Sequence, residues 1–322
     1  MDRVYIEIQN GHNGYEPLVL NDIQWTTERK GSPGKLTLKV YQDGNLNIAE
    51  GNVISFKVGN DGVFYGYIFK QSMDKTNVLS LTAYDQMRYL KNKDTYNFQN
   101  TTANRIISAI SNDFGIRTGE LEETAYLIKA VVYDNKTLLD MMQDALDMTL
   151  TNSKRLYVLY DDYGKLTVKQ AARMKVGLMI DAETAETYEF DSSIDEETYN
   201  KIKLEYEDSD SHERTFWTAE DKETQKKWGT LQYFESISKE DKDNAQNKAN
   251  SLLQLYNLPT KHLTIKNALG DLRVRGGSMV LVELTIGTEK VNHWMVVDSC
   301  THTFKENEHF MDLKLIGGGF VG

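Results

Sequence analysis

Apolar and polar residues alternate along much of the N-terminal quarter of the chain. Val4, Ile6 and Ile8 are separated by polar or aromatic positions, and Leu36, Leu38 and Val40 alternate with Lys35, Thr37 and Lys39. A period of two is the signature of a strand with one wet face. Leu18 to Trp25 is an apolar and aromatic approach, and Gly31-Ser32-Pro33-Gly34 is turn chemistry. The segment therefore reads as strand, basic loop, strand. Val53 to Val58 and Val63 to Phe69 flank Asn60-Asp61-Gly62, a predicted hairpin with Asp-Gly in the turn. Gly66 inside a strand predicts a bulge or a sharp bend. Val78 to Tyr84 closes the series. Several strands with short turns over residues 1–85 predict a small barrel or sandwich.

The period then becomes helical. Thr101 or Thr102 caps a helix carrying Ile106, Ile107, Ile110 and Phe114, ending at Gly115. A second helix follows Asn135-Lys136-Thr137, with Leu138, Leu139, Met142, Ala145, Leu146 and Thr149 at helical spacing. Its methionines read as core fillers. Leu156 to Tyr160 and Lys165 to Val168 flank Asp161-Asp162-Tyr163-Gly164, a hairpin whose adjacent carboxylates point apart into water.

Strands return after residue 172. Asn200 to Tyr206 alternates, then meets an acidic run of Glu207, Asp208, Asp210 and Glu213 around His212. That run lacks calcium-loop spacing and reads as a solvated loop. Ser238 and Asp241 resemble a capping box, opening a helix at about 239–257 that Pro259 stops. Leu272 to Arg275 and Ser278 to Val282 flank Gly276-Gly277, a predicted hairpin. Trp294 to Phe304 and His309 to Leu315 read as two strands joined by a charged turn.

Length and charge narrow the function. A chain of 322 residues holds about two domains. A net charge of -11 argues against a general nucleic-acid binder. The one cysteine, Cys300, allows no internal disulfide. No run approaches the ~20 apolar residues of a membrane helix, and the N-terminus reads as a strand rather than a signal peptide. Export would then rely on lysis or on a particle.

Candidate chemistry is sparse. There is no phosphate-binding glycine loop, no H-E-x-x-H and no dinucleotide fingerprint, so no catalytic, cofactor or metal residue is assigned. Cys300, His302 and His309, with His293, are the nearest approach to a metal set, but their spacing fits no zinc pattern.

The run WTTERKGSPGKLT from Trp25 to Thr37, the pair ALDMTL and LYVLYDDYGKLTV, and V-x-S-x-x-H-x-F followed by H-x-M-x-L-x-L carry a resemblance. They resemble the XkdQ/YqbQ-like proteins of prophages and phage-tail-like bacteriocins, within the tail hub group that includes the VgrG base. The resemblance implies an α+β, mainly β fold: a tube-like β-barrel over 1–85, completed or not by later strands, an α/β insertion over 86–172, and a second barrel over 173–322. It implies a structural hub, not an enzyme, joining tail tube to spike or baseplate. Three chains would then present about six tube-like positions around a channel. Partners would be copies of itself, the tube protein and spike or baseplate proteins. DNA would pass through the channel of a phage without specific binding. Trp25, Glu28, Arg29, Lys30 and Lys35 would contact neighbouring subunits or the tube. The rival readings are a tail-associated peptidoglycan hydrolase and a carbohydrate-binding adhesin, the latter using exposed Trp217 and Trp228.

Overall fold

The computed structural model describes residues 3–181, 184, 187–195, 197–286 and 289–317. The chain opens with seven strands: β1 (Val4–Asn10), β2 (Asn13–Tyr15), β3 (Val19–Glu28), β4 (Lys35–Tyr41), β5 (Val53–Val58), β6 (Asp61–Met73) and β7 (Val78–Tyr84). They lie in the antiparallel order β3-β4-β7-β6-β5-β1-β2. Leu36, Leu38 and Val40 stand opposite Ala83, Leu81 and Leu79, so the alternation of both strands buries one face. Ile6, Ile8, Ile54 and Phe56 complete this core. Each such side chain contributes roughly 1.5–3 kcal/mol by leaving water.

Two local expectations change. The hairpin turn is Gly59-Asn60, because Val58 pairs with Asp61, and Asp61-Gly62 already belongs to β6. Gly59 sits at φ 60, the left-handed value that the first position of a type II′ turn requires. Gly66 is regularly paired with Ile54, with no bulge at it. A Cβ there would stand 2.3 Å from the Tyr84 carbonyl oxygen, so glycine is needed for the close approach of β7.

The middle unit contains β8 (Lys93–Thr102), α1 (Ala103–Asp113), β9 (Thr118–Leu121), β10 (Leu127–Thr137), α2 (Leu138–Ser153), β11 (Tyr157–Asp161) and β12 (Leu166–Gln170). Thr137 caps α2 by accepting the Asp140 N–H, and Gly115 at φ 64 ends α1. Ile106, Ile107, Ile110, Leu138, Met141, Met142 and Leu146 lie in one core with Leu159 and Val168, as helical spacing predicts. Asp161 and Asp162 do point apart, but only Asp162 reaches water; Asp161 is buried.

The remainder holds two cores. In the smaller one, β15 (Lys201–Glu207) pairs with β16 (Arg214–Glu220) and β17 (Gln232–Ser236) under α4 (Ala245–Tyr256), with α3 (Lys222–Trp228) between strands. They follow β13 (Lys175–Ile180) and β14 (Thr187–Ser193). Ser238 makes no side-chain cap to the helical turn that precedes α4, so the capping box is absent. The larger core gathers β13, β18 (Thr260–Leu269), β19 (Met279–Ile286), β20 (Glu289–Lys305) and β21 (Glu308–Gly317). Leu272 to Arg275 is not a strand. The Asp271 carboxylate accepts the Arg273 N–H, and the Val274 N–H reaches the Asp271 carbonyl, which folds the segment into a turn.

β20 connects the halves. Its first part pairs with β19, and its second part pairs with β21 on one side and with β3 on the other. One mixed sheet thus runs through both halves, with a separate core in each. The strand order is an open path, so no closed barrel exists among the described residues. Beside β1 a cleft of about 850 Å³ remains between Arg3–Glu7, Val19 and the β20–β21 turn.

Candidate assembly site at the junction of the two sheet halves

The basic loop between β3 and β4 lies where the two sheet halves and the middle unit meet. Trp25 on β3 is buried, and its ring stacks on His302 of β20, with centroids 4.9 Å apart. The His302 Nε2–H donates to the Val274 carbonyl at 2.8 Å, and its Nδ1 accepts from His309 Nε2, also at 2.8 Å. Burial, and the neighbouring His309, push His302 down to about 3, and burial pushes His309 down to about 4. Both rings are therefore neutral packing and hydrogen-bonding groups. Cys300 Sγ lies 3.1 Å from His302 Nε2. Burial pushes the Cys300 thiol far up, so it is no thiolate. Among the described residues no set of three His, Cys, Asp or Glu side chains is arranged to hold a metal ion.

Beyond Trp25, the loop residues are used one after another. Thr27 Oγ1 accepts the Gly276 N–H at 2.9 Å. The Arg29 N–H donates to the Asp298 carbonyl at 2.8 Å, and its Nε reaches the Asp298 carboxylate at 3.0 Å. Lys30 pairs with Asp147 of α2 at 2.6 Å. Lys91 donates to the Gly31 carbonyl at 2.6 Å. The loop thereby ties β3 to β20 and to the middle unit. Glu28 and Lys35 remain at the surface, lining a cleft of about 310 Å³ with Ser32, Arg88 and Lys91.

A buried polar network lies under this loop. Asp85 accepts the N–H groups of Gly34 at 2.8 Å and of Met87 at 2.9 Å. Burial and the neighbouring Asp161 hold its carboxyl well above the usual carboxylate range. Burial also raises Asp161, against bonds from the Gly164 N–H and from Gln86. Arg275 donates to the Asp161 carbonyl at 2.6 Å, with its guanidinium 4.2 Å from the Tyr160 ring centre. The network therefore touches the first sheet, the middle unit and the turn before β19.

Sequence reasoning placed Trp25, Glu28, Arg29, Lys30 and Lys35 together, and the structure adds what holds them. Asp85, Asp147, Asp161, Arg275, Asp298 and His302 were not assigned to this site. They come from segments far apart in the chain, and no local motif marks them. Trp217 packs against the core under α4, so it offers no open sugar platform.

The arrangement has the form of a scaffold: sheet edges, a pinned loop and a buried polar network in which Arg275 Nε is left without a hydrogen-bond partner. The fold is that of phage tail proteins. It superposes on the 43 kDa tail protein of prophage MuSo2 from Shewanella oneidensis with a TM-score of 0.70 and 13% identity, covering 99% of this chain and 100% of that one. It also matches the E. coli c3393 protein, described as a type VI secretion component structurally similar to T4 tail proteins gp27 and gp5, with a TM-score of 0.58 and 9% identity over 97% of this chain and 76% of that one.

The model of the YQBQ-like family matches residues 23–316, and the chain belongs to that family. The uncharacterized protein YqbQ of Bacillus subtilis is 28% identical over 93% of this chain and 92% of its own. The phage-like element PBSX protein XkdQ of the same organism is 29% identical over 84% and 82%. Among the described residues no helix is long and apolar enough to cross a membrane.

Proposed function

We propose that the chain is the structural hub of a phage tail or phage-tail-like particle, joining the tail tube to the spike or baseplate. The observation that carries this reading is one chain holding two sheet halves, each with its own core, locked edge to edge at β3 and β20. A subunit of that form offers two tube-like units per chain. Three copies in a ring then supply about six positions, adapting a sixfold tube to a threefold spike around a central channel. Residues 1–85 and 173–322 form the two units in this reading, and 86–172 is the insertion between them.

Binding rests on β-surface and loop contacts rather than catalysis. Its partners are other copies of the chain, the tail tube protein and spike or baseplate proteins. Within the Trp25–Lys35 segment, Glu28, Lys30 and Lys35 are the members at or near the surface that would touch a neighbour. Trp25 and Arg29 act from within by fixing the loop. DNA passing along the channel of a phage would do so without specific contacts. The chain would reach the outside of the cell in a particle released by lysis.

The test is quantitative mass spectrometry on tail-like particles purified from the native host, with labelling to locate the chain. About three copies per particle at the tube–spike junction is the expected result. Absence from particles, or many copies along the tube, overturns the reading.

A further inference from the structure

The outward face of the first sheet carries a row of aromatic rings beside the basic cleft. Tyr67, Phe69, Tyr84 and Tyr89 lie 5.5–5.7 Å from one another in a chain of contacts. All are partly exposed, Tyr89 by 37%. The row is continuous with the cleft. Lys35 stands opposite Tyr84, Tyr84 stands opposite Tyr67, and the Arg88 guanidinium lies 5.3 Å from the Phe69 ring centre. Lys35, Arg88 and Lys91 line the cleft, and among the described residues none of them has a carboxylate within ion-pair distance. Three cations against one cleft carboxylate, Glu28, beside aromatic rings and on a chain of net charge -11, form a local basic surface. Aromatic rings and arginine are also what protein interfaces concentrate.

The rings meet mainly edge to face, so neighbours' edges occupy the faces that stacking a sugar or a base would need. A protein partner fits better. It must be acidic at one edge and apolar beside it.

This chain carries such a surface. The tip between β15 and β16 holds Asp208, Asp210 and Glu213. Asp208 is kept ionised by N–H groups of Ser211 and Asp210, which lower it below the usual carboxylate range. Asp210 and Glu213 are exposed and have no ion-pair partner among the described residues. Next to the tip, Phe216 and Phe234 are 46% and 49% exposed. They stand opposite Glu205 and Lys203 of β15, two residues apart, so both lie on the face turned away from α4.

We propose that these two surfaces meet between copies: the Lys35/Arg88/Lys91 cleft and its aromatic row receive the acidic tip and the Phe216/Phe234 face of a second copy. The contact is heterologous, with different patches on each side, and such contacts close into rings when the rotation permits. The proposal deepens the hub reading and rests on it for the ring.

The test places photoreactive p-benzoylphenylalanine at Tyr89 of the full chain. Cross-linking is run on concentrated purified protein at low ionic strength and on assembled particles. The expected product has twice the chain mass and joins residue 89 to a peptide within 207–216 or 232–236. It is lost in K35E/R88E and in D210K/E213K, each reversed variant retaining the thermal melt of the parent. Mixing the two reversed variants restores the double-mass product, because the acidic tip of the first then meets the basic cleft of the second, and the lysine tip of the second meets the glutamate cleft of the first. Raising the salt weakens the parent product.

Failure of the double-mass product in both settings overturns the proposal. So does cross-linking to another protein, to glycan or to nucleic acid, or failure of the mixed variants to restore it. If particles contain about three copies but the cross-link fails, only this contact falls. If the cross-link forms but the chain is absent from particles, the hub reading falls.

Discussion

The Trp25 ring stacks nearly parallel on the His302 ring, with 19° between their planes, across the strand pair that joins the two sheet halves. Both side chains are buried, so this contact fastens one half to the other from inside. Truncation removes a large buried apolar surface. Trp25→Ala is expected to cost about 3–5 kcal/mol, and Trp25→Phe clearly less. Denaturant midpoints of the free chain decide it. A cost for Trp25→Ala near that of an exposed surface change would show that the seam does not depend on this stack.

The two histidines make stability depend on pH, and the sign follows from their depressed affinity for protons. Below about 6.5 the unfolded chain protonates both rings. The folded chain resists until about 4 for His309 and about 3 for His302. The unfolded state therefore binds more protons in that window, and the histidine contribution to stability falls as pH falls. Each contributes up to about 1.4 kcal/mol per pH unit while it is protonated only in the unfolded chain. Asp271, near both rings, and Arg275, near His302, act in opposite directions, and Asp85 and Asp161 work against the histidine trend because their raised affinities favour proton uptake by the folded chain. The comparison is therefore made between the parent and His309→Gln, which keeps an N–H donor for His302 without titrating. The variant is expected to lose less stability than the parent between pH 7 and pH 5. Equal losses would remove His309 from the account.

Asp85 and Gly34 share one contact and should not behave independently. The carboxylate accepts two buried N–H groups, which Asp85→Ala would leave without a partner at about 1–3 kcal/mol. A Cβ on Gly34 would stand 2.5 Å from the same carboxylate oxygen, so Gly34→Ala drives Asp85 out of place. Each single change is expected to destabilise. The double change is expected to cost less than the sum, because the second has little left to break. Additive losses in chemical denaturation would separate the two.

The loop's two ion pairs differ in burial and should differ in effect. Arg29 is 19% exposed at its side chain and also bonds Asp298 through its backbone. Lys30 and Asp147 are 45% and 40% exposed, which solvent screens. Lys30→Ala is expected to lie within about 0.5 kcal/mol of the parent, and Arg29→Ala to cost more, with less sensitivity to salt. Melts at low and high salt test the order; a larger cost for Lys30→Ala would reverse it.

The elements that could be read from the sequence are those whose burial is periodic. Leu36, Leu38 and Val40 declared β4, and Ile106, Ile107 and Ile110 declared α1, because each buries one face. β8 was missed because Lys93 to Thr102 is mostly polar and exposed, with only Tyr96 and Phe98 marking a face. The Leu272–Arg275 error has the opposite cause. That segment alternates like a strand, but Asp271 bends it and its side chains serve the junction. The basic loop could be found by its local pattern, while its partners could not. Thr27 meets Gly276, and Arg29 meets Asp298, through pairing that exists only once β20 lies against β3. Trp25 looked like a contact residue because an aromatic before a basic loop carries no local sign of which side it faces.

That pairing makes Gly276 the sharpest test of the junction. A Cβ at this position would stand 2.4 Å from the Glu28 carbonyl carbon and 2.6 Å from the Arg29 nitrogen. Both are main-chain atoms, so no flexible side chain can swing aside. Gly276→Ala must push β3 away from the turn before β19, breaking the Gly276–Thr27 bond and loosening the Arg29–Asp298 bond beside it. The expected cost is about 1–3 kcal/mol, a fall in melting temperature of several degrees. Gly177 is the control, since nothing lies within 4 Å of its added Cβ, and Gly177→Ala is expected to stay within about 0.5 kcal/mol of the parent. Hydrogen exchange then locates the damage. The Arg29 amide should exchange faster in Gly276→Ala, while amides of β5 and β6 keep their protection because their pairing does not pass through the junction. If Gly276→Ala melts like Gly177→Ala, or if protection is lost evenly over the first sheet, the close approach of these two main chains is not what holds the halves together.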